Sequence, residues 1–260
     1  MQLDDPVLLG LAGSLGAGLM TGAGALPVLF GRSVSQRTSN ALLGFAAGVM
    51  LTASFFSLIL PALDYAEGPY GGRVLPAFVA SGGILLGVAA MWFLNERVPH
   101  RHFVSGPEGP ASPRLEKIWL FVIAITLHNF PEGMAVGVGF ASGDVGKGAA
   151  LALGIGLQNM PEGLAVALAL VAERYPPGRA VWIATLTGLV EPVGGVLGAV
   201  ALALAEPLLP WGLTFAAGAM LYIISHEIIP ETHRSGYRKE ATGGLTVGLV
   251  VMLVLDVALG

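Results

Sequence analysis

Cysteine is absent from the 260 residues. Disulfides and thiolate metal ligands are therefore excluded, and the redox compartment is left open. Charge is also scarce. Asp, Glu, Lys and Arg make up 12% of the chain, against about 25% in an ordinary soluble domain. The 13 basic residues are scattered, which argues against a nucleic-acid partner. The opening MQLDDPVLLG lacks the basic region of a cleaved signal peptide, so the first apolar run reads as a retained span. Apolar residues, in contrast, reach 54%, and the mean hydropathy is +0.75. Glycine is frequent at 38 residues, as expected where membrane helices approach closely through small side chains.

A membrane-spanning helix needs about 20 mostly apolar residues. Eight stretches qualify, at 6–30, 40–63, 74–95, 118–140, 148–171, 180–204, 208–229 and 242–259. The expected fold is all-α and polytopic, one transmembrane domain over 1–260 with a Pro-, Gly- and charge-rich loop at about 96–117. The basic residues are distributed unevenly between the two sides. Loops after spans 1, 3, 5 and 7 hold Arg32, Arg37, Arg97, Arg101, Arg114, Lys117, Arg174, Arg179, Arg234, Arg238 and Lys239, whereas the opposite side holds Arg73 and Lys147. The positive-inside rule makes the odd-numbered loops cytoplasmic and puts both termini outside.

One motif occurs twice. Residues 127–138 read LHNFPEGMAVGV and residues 157–168 read LQNMPEGLAVAL. The copies fall at similar depth on spans 4 and 5, which run in opposite directions, so they form an inverted repeat at the centre of the bundle. Ionisable and polar groups at mid-membrane are expensive and point to a functional site. Glu191 of span 6 and Met50 of span 2 fall in the same layer.

Angular spacing orders these groups. A helix turns about 100° per residue, so with His128 at 0° Asn129 lies near 100° and Glu132 near 40°. Gln158, Asn159 and Glu162 repeat the arrangement. Each helix thus offers a carboxylate flanked by two neutral ligands. Two facing carboxylates would bridge two ions, one taking His128 and Gln158, the other Asn129 and Asn159. Pro131 and Pro161 are expected to kink the helices and free the carbonyls of Leu127 and Leu157. Imidazole, amide and carboxylate without thiolate suit a borderline divalent metal such as Zn²⁺, with Fe²⁺, Mn²⁺ or Cd²⁺ as alternatives. Met50 is either a soft extra contact or a packing residue.

Further polar residues lie off the midplane. In span 7, His226 and Glu227 of SHEIIPE fall roughly 12 Å past the span centre toward the cytoplasmic end. They read as a relay on an exit path or as helix-end capping. A zinc-protease HExxH is excluded because position 230 is Pro230. Asp64 and Asp256 near the outer ends of spans 2 and 8 are entrance groups or solvated helix ends. His100 and His102 in the long loop are solvated residues or weak metal ligands.

At these residues the chain resembles the ZIP family of metal transporters. The likeness is carried by HNFPEG, QNMPEG, EPVGG, HEIIPE and, in span 2, GVMLTASFFSLILPA. It implies inward movement of zinc and related divalent ions through a binuclear site held by His128, Asn129, Glu132, Gln158, Asn159, Glu162 and Glu191, with Met50 nearby. It also implies alternating access with spans 1, 4, 5 and 6 moving against the rest, a homodimer, a plasma (inner) membrane location, and zinc as substrate, with no prosthetic cofactor. One departure matters. Many members of the family carry a carboxylate where this chain has Asn159, so the ion beside it is expected to bind more weakly. The rival readings are a membrane metalloenzyme, in which every candidate base is already a ligand, and a metal-sensing scaffold, for which no output domain is visible.

Overall fold

The computed structural model describes residues 5–31, 34–72, 74–102, 106–108, 117–204, 206–234 and 236–259. Arg32, Arg73 and Arg114 of the charge bias lie outside these residues, as do the side chains of Arg101, Lys117, Arg234, His100 and His102. Eight helical spans are present, at Pro6–Phe30, Gln36–Tyr70, Val74–Arg97, Ile118–Ala141, Val145–Ala172, Pro177–Leu202, Leu209–His233 and Arg238–Leu259. Beside them is a two-stranded antiparallel ribbon in the long loop, His100–His102 against Gly106–Glu108.

Local signals set the helix starts. Asp5, Ser35 and Asp144 cap spans 1, 2 and 5, each side chain accepting from a backbone N–H in the first turn. Span 2 is longer than its apolar window, because the helix continues past residue 63 through the polar DYAEGPY segment to Tyr70. Spans 2 and 7 each contain a π-helical stretch, Ala53–Ile59 and Ile224–Ile228. Spans 4 and 5 run through Pro131 and Pro161 as continuous helices.

Span 6 differs from its expected single helix over 180–204. It is two helices, Pro177–Gly188 and Glu191–Leu204. Pro192 sits in the first turn of the second piece, where its missing N–H costs nothing. The end of the first piece is pressed against span 1. A methyl group on Gly18 would strike the Gly188 carbonyl, and one on Gly188 would strike the Gly18 carbonyl.

The spans pack as two groups of four. Spans 1, 4, 5 and 6 contact one another closely; spans 2, 3 and 7 pack together with span 8 held against span 2, and contact between the groups is thinner and passes mainly through spans 2, 5 and 8 and through spans 4 and 7. The tightest crossing is that of spans 2 and 8. Gly44 and Gly48 face the carbonyls of Ala241 and Leu245, while Gly244 and Gly248 face those of Ala41 and Phe45. A side chain at any of the four would collide with facing backbone, so only glycine allows this approach. Span 4 is the most enclosed, with 72% of its apolar window buried, against 11% for span 8.

Candidate metal site

The duplicated motif places its polar groups in the interior of the first group of spans. Asn129, Glu132, Gln158, Asn159 and Glu191 have no solvent exposure, and His128 and Glu162 have 5% and 3%. Each glycine of the two PEG triplets explains part of this placement. Gly133 lets the backbone of Glu191 lie directly on span 4, and Gly163 does the same for the backbone of Thr21 on span 1. The carboxylates therefore arrive on helices that touch. The carboxyl groups of Glu132, Glu162 and Glu191 lie within electrostatic reach of one another. Glu191 opens the second half of span 6, where the helix N-terminus favours a negative charge.

A hydrogen-bonded chain runs across part of this cluster. Gln158 Nε2 donates to Asn159 Oδ1 at 2.7 Å. Asn159 Nδ2 donates to Glu191 Oε1 at 2.6 Å and to the Ala17 carbonyl at 2.9 Å. Many buried oxygens remain without a partner: Asn129 Oδ1, both of Glu132, Gln158 Oε1, Glu162 Oε2 and Glu191 Oε2. Leaving such a group unsatisfied costs about 1–3 kcal/mol, more when it is charged. A ring of unpaired oxygens, most of them on carboxylates, is stabilised by a hard or borderline cation. Among the described residues no three His, Asp and Glu side chains form a ready-made metal cage. The amides of Asn129, Gln158 and Asn159 are buried beside these carboxylates and bring further oxygens to them.

His128 does not sit on Gln158 in this structure. Its Nε2 makes a very short contact with Glu227 Oε2 of span 7, so this contact joins the two groups of spans. Aligning all spans at their centres puts Glu227 more than two turns from the site; span 7 instead extends to His233 and carries its π-helical stretch at 224–228. Glu227 is buried; its neighbour His226 is exposed and stacks on Tyr222, with ring centroids 4.9 Å apart. The structure thus brings Glu227 to the cluster and leaves His226 outside it.

A cavity of about 50 Å³ adjoins this contact. It is lined by His128, Glu162, Glu227 and Glu231 together with Leu43, Phe121 and other apolar residues. Its walls belong to the odd-loop halves of spans 2, 4, 5 and 7, so the cavity runs from the cluster toward that side. Glu231 was not singled out from sequence, although it is four residues past Glu227 on the same helix face. On the opposite side the groups touch through Tyr65, whose hydroxyl donates to the Ser142 carbonyl at 3.0 Å.

The remaining candidates lie outside this cluster of unpaired oxygens. Met50 is fully buried in the hydrophobic core formed with Ala47, Val49, Ala53 and Leu58. Asp256 accepts a hydrogen bond from Ser57 at 2.6 Å. Asp64 is exposed near the even-loop end of span 2.

Comparison with known proteins bears on the family of the chain. A family model described as ZIP Zinc transporter matches residues 102–256. The chain is 48% identical over 251 residues to Zinc transporter GufA of Myxococcus xanthus, covering 96% of this chain and 99% of that protein. It is 49% identical over 243 residues to Zinc transporter ZIPB of Bordetella bronchiseptica, covering 92% and 78%. It is 35% identical over 341 aligned positions to human Zinc transporter ZIP11, covering the whole of both.

Proposed function

The chain belongs to the ZIP family of zinc transporters, and on that premise we propose that its buried carboxylate–amide cluster is the transport site for Zn²⁺ and related divalent ions. It is an integral membrane protein of a transporter family, not of an enzyme family, and divalent metal is its substrate. The observation that carries the proposal is the set of unpaired oxygens on Asn129, Glu132, Gln158, Glu162 and Glu191, buried at one place on three touching spans. Buried carboxylates this close together repel, and a divalent ion removes both the repulsion and the desolvation cost.

In this reading the cluster holds two ions, bridged by Glu132 and Glu162. His128 and Gln158 serve one ion, and Asn129, Asn159 and Glu191 the other. Met50 is a packing residue beside it. Spans 1, 4, 5 and 6 move as a unit against spans 2, 3, 7 and 8, and the site opens alternately to either side. The cavity below His128 is the route to the cytoplasm, with Glu227 and Glu231 receiving the ion as it leaves. Tyr65 and Ser142 close the outer side. His226 borders the exit, and Asp64 and Asp256 draw cations to the entrance. The direction is inward, into a cytoplasm on the side of the odd-numbered loops, with both termini outside. The protein works in the plasma (inner) membrane as a homodimer of single-domain subunits.

Zinc uptake into proteoliposomes tests the reading. Glu132→Ala and Glu162→Ala should each abolish saturable uptake while the protein still reconstitutes. Wild-type flux through either variant would remove the cluster from the path.

A further inference from the structure

We infer that the groove between spans 3, 4 and 7 binds an anionic phospholipid of the bilayer, with one acyl chain in the groove and the phosphate at Arg97. The groove offers about 310 Å³. Met91, Phe93 and Leu94 of span 3, Pro131 and Met134 of span 4, and Phe215 of span 7 supply most of its wall. All these lining side chains are apolar. They lie within membrane spans, so hydrocarbon is the medium that reaches them. Two methionines give the wall an adaptable surface suited to a flexible chain. The groove also lies where the two groups of spans face each other, not along one helix pair.

The mouth identifies the headgroup. The Arg97 guanidinium lies 4.4 Å from the centre of the Phe93 ring, and Phe93 is 57% exposed. Arg97 ends span 3 on the odd-loop side, at headgroup level. A guanidinium stacked on a ring still directs its N–H donors outward in its own plane, and that fork matches a phosphate. A basic group at the rim favours an anionic lipid over an apolar helix from a second copy. The inference rests on the membrane placement of the spans and is independent of which ion the central cluster carries.

The experiment uses full-length protein reconstituted with phosphatidylglycerol bearing a photoreactive group midway along one acyl chain. Cross-linked positions are mapped by mass spectrometry, and retained lipid is counted on the intact protein. Labelling should concentrate at Met91 and Met134, above that at Phe78 and Val254, which are exposed apolar positions elsewhere on the surface. Ala90→Trp, which fills the groove from its exposed edge, should remove that excess. Arg97→Gln should lower retained phosphatidylglycerol about fivefold, the factor for one basic group at an anionic surface. Labelling that simply follows exposure, or cross-links joining two protein copies at Met91, would overturn the inference. So would equal lipid retention by wild type and Arg97→Gln, a surface change that leaves the packing intact.

Discussion

Spans 2 and 8 and spans 4, 5 and 6 both approach through glycine, yet the two regions use the closeness differently. In the first, Gly44, Gly48, Gly244 and Gly248 bring backbone onto backbone, and the gain is packing alone. In the second, Gly133 seats span 4 on the Glu191 backbone of span 6 and Gly163 seats span 5 on the Thr21 backbone of span 1, each glycine following a carboxylate. The gain there is a site whose polar groups are left unsatisfied. The first region is a dry frame; the second stores unfavourable electrostatics that a bound cation or protonation relieves. Stability and function are therefore separable by position.

The sharpest test of that separation is Glu132→Gln. Zinc affinity should fall by about a hundredfold, the upper range for disturbing a metal site, while the melting temperature of the metal-free protein stays level or rises. Isothermal calorimetry and a thermal melt in the same detergent read both effects. Gly48→Leu should do the reverse. Forcing a side chain onto the Leu245 carbonyl should cost about 1–3 kcal/mol of stability, with zinc affinity unchanged in the folded fraction. A large affinity loss here would mean that the frame and the site are not separate.

Smaller effects refine the comparison. Asn159→Asp adds a carboxylate to the site beside Glu191, and the second zinc should bind about tenfold more tightly, within the range for a changed ligand environment. Unchanged stoichiometry and affinity in calorimetry would sink the weaker-second-ion idea. Tyr65→Phe removes one hydrogen bond between the two groups of spans, worth about 0.5–1.5 kcal/mol. The native chain has no cysteine, so a single thiol at Gln158 reports access without background. In the Tyr65→Phe background that thiol should react severalfold faster with an impermeant reagent from the even-loop side. Equal rates would show that the Tyr65 contact holds nothing closed.

The eight spans were legible because each is a long apolar run, and hydropathy needs no tertiary information. The central pair was legible because polar residues at mid-membrane stand out against that background. The break in span 6 was not, since TLTGLVEPVGG stays apolar enough to read as one helix and the break depends on the contact between Gly18 and Gly188. The role of the PEG glycines was also hidden, because a close approach belongs to two helices and a sequence displays one. Glu227 was placed too far from His128 for a related reason. Depth along one span is a local quantity, while the offset between spans is set by packing, and periodicity does not encode it.

The contact between His128 and Glu227 has a consequence for selectivity. In the structure the imidazole nitrogen is in contact with a carboxylate of the same chain. That carboxylate acts as a built-in competitor, and the affinity an arriving ion displays is its own binding less the cost of displacing Glu227. If the cluster is the transport site, ions that favour nitrogen donors, such as Zn²⁺, would offset that cost through the imidazole, whereas Mg²⁺ and Ca²⁺, which prefer oxygen, would gain little from it. On the proposed reading, a bond the protein makes to itself would count against the abundant, oxygen-preferring ions at this point.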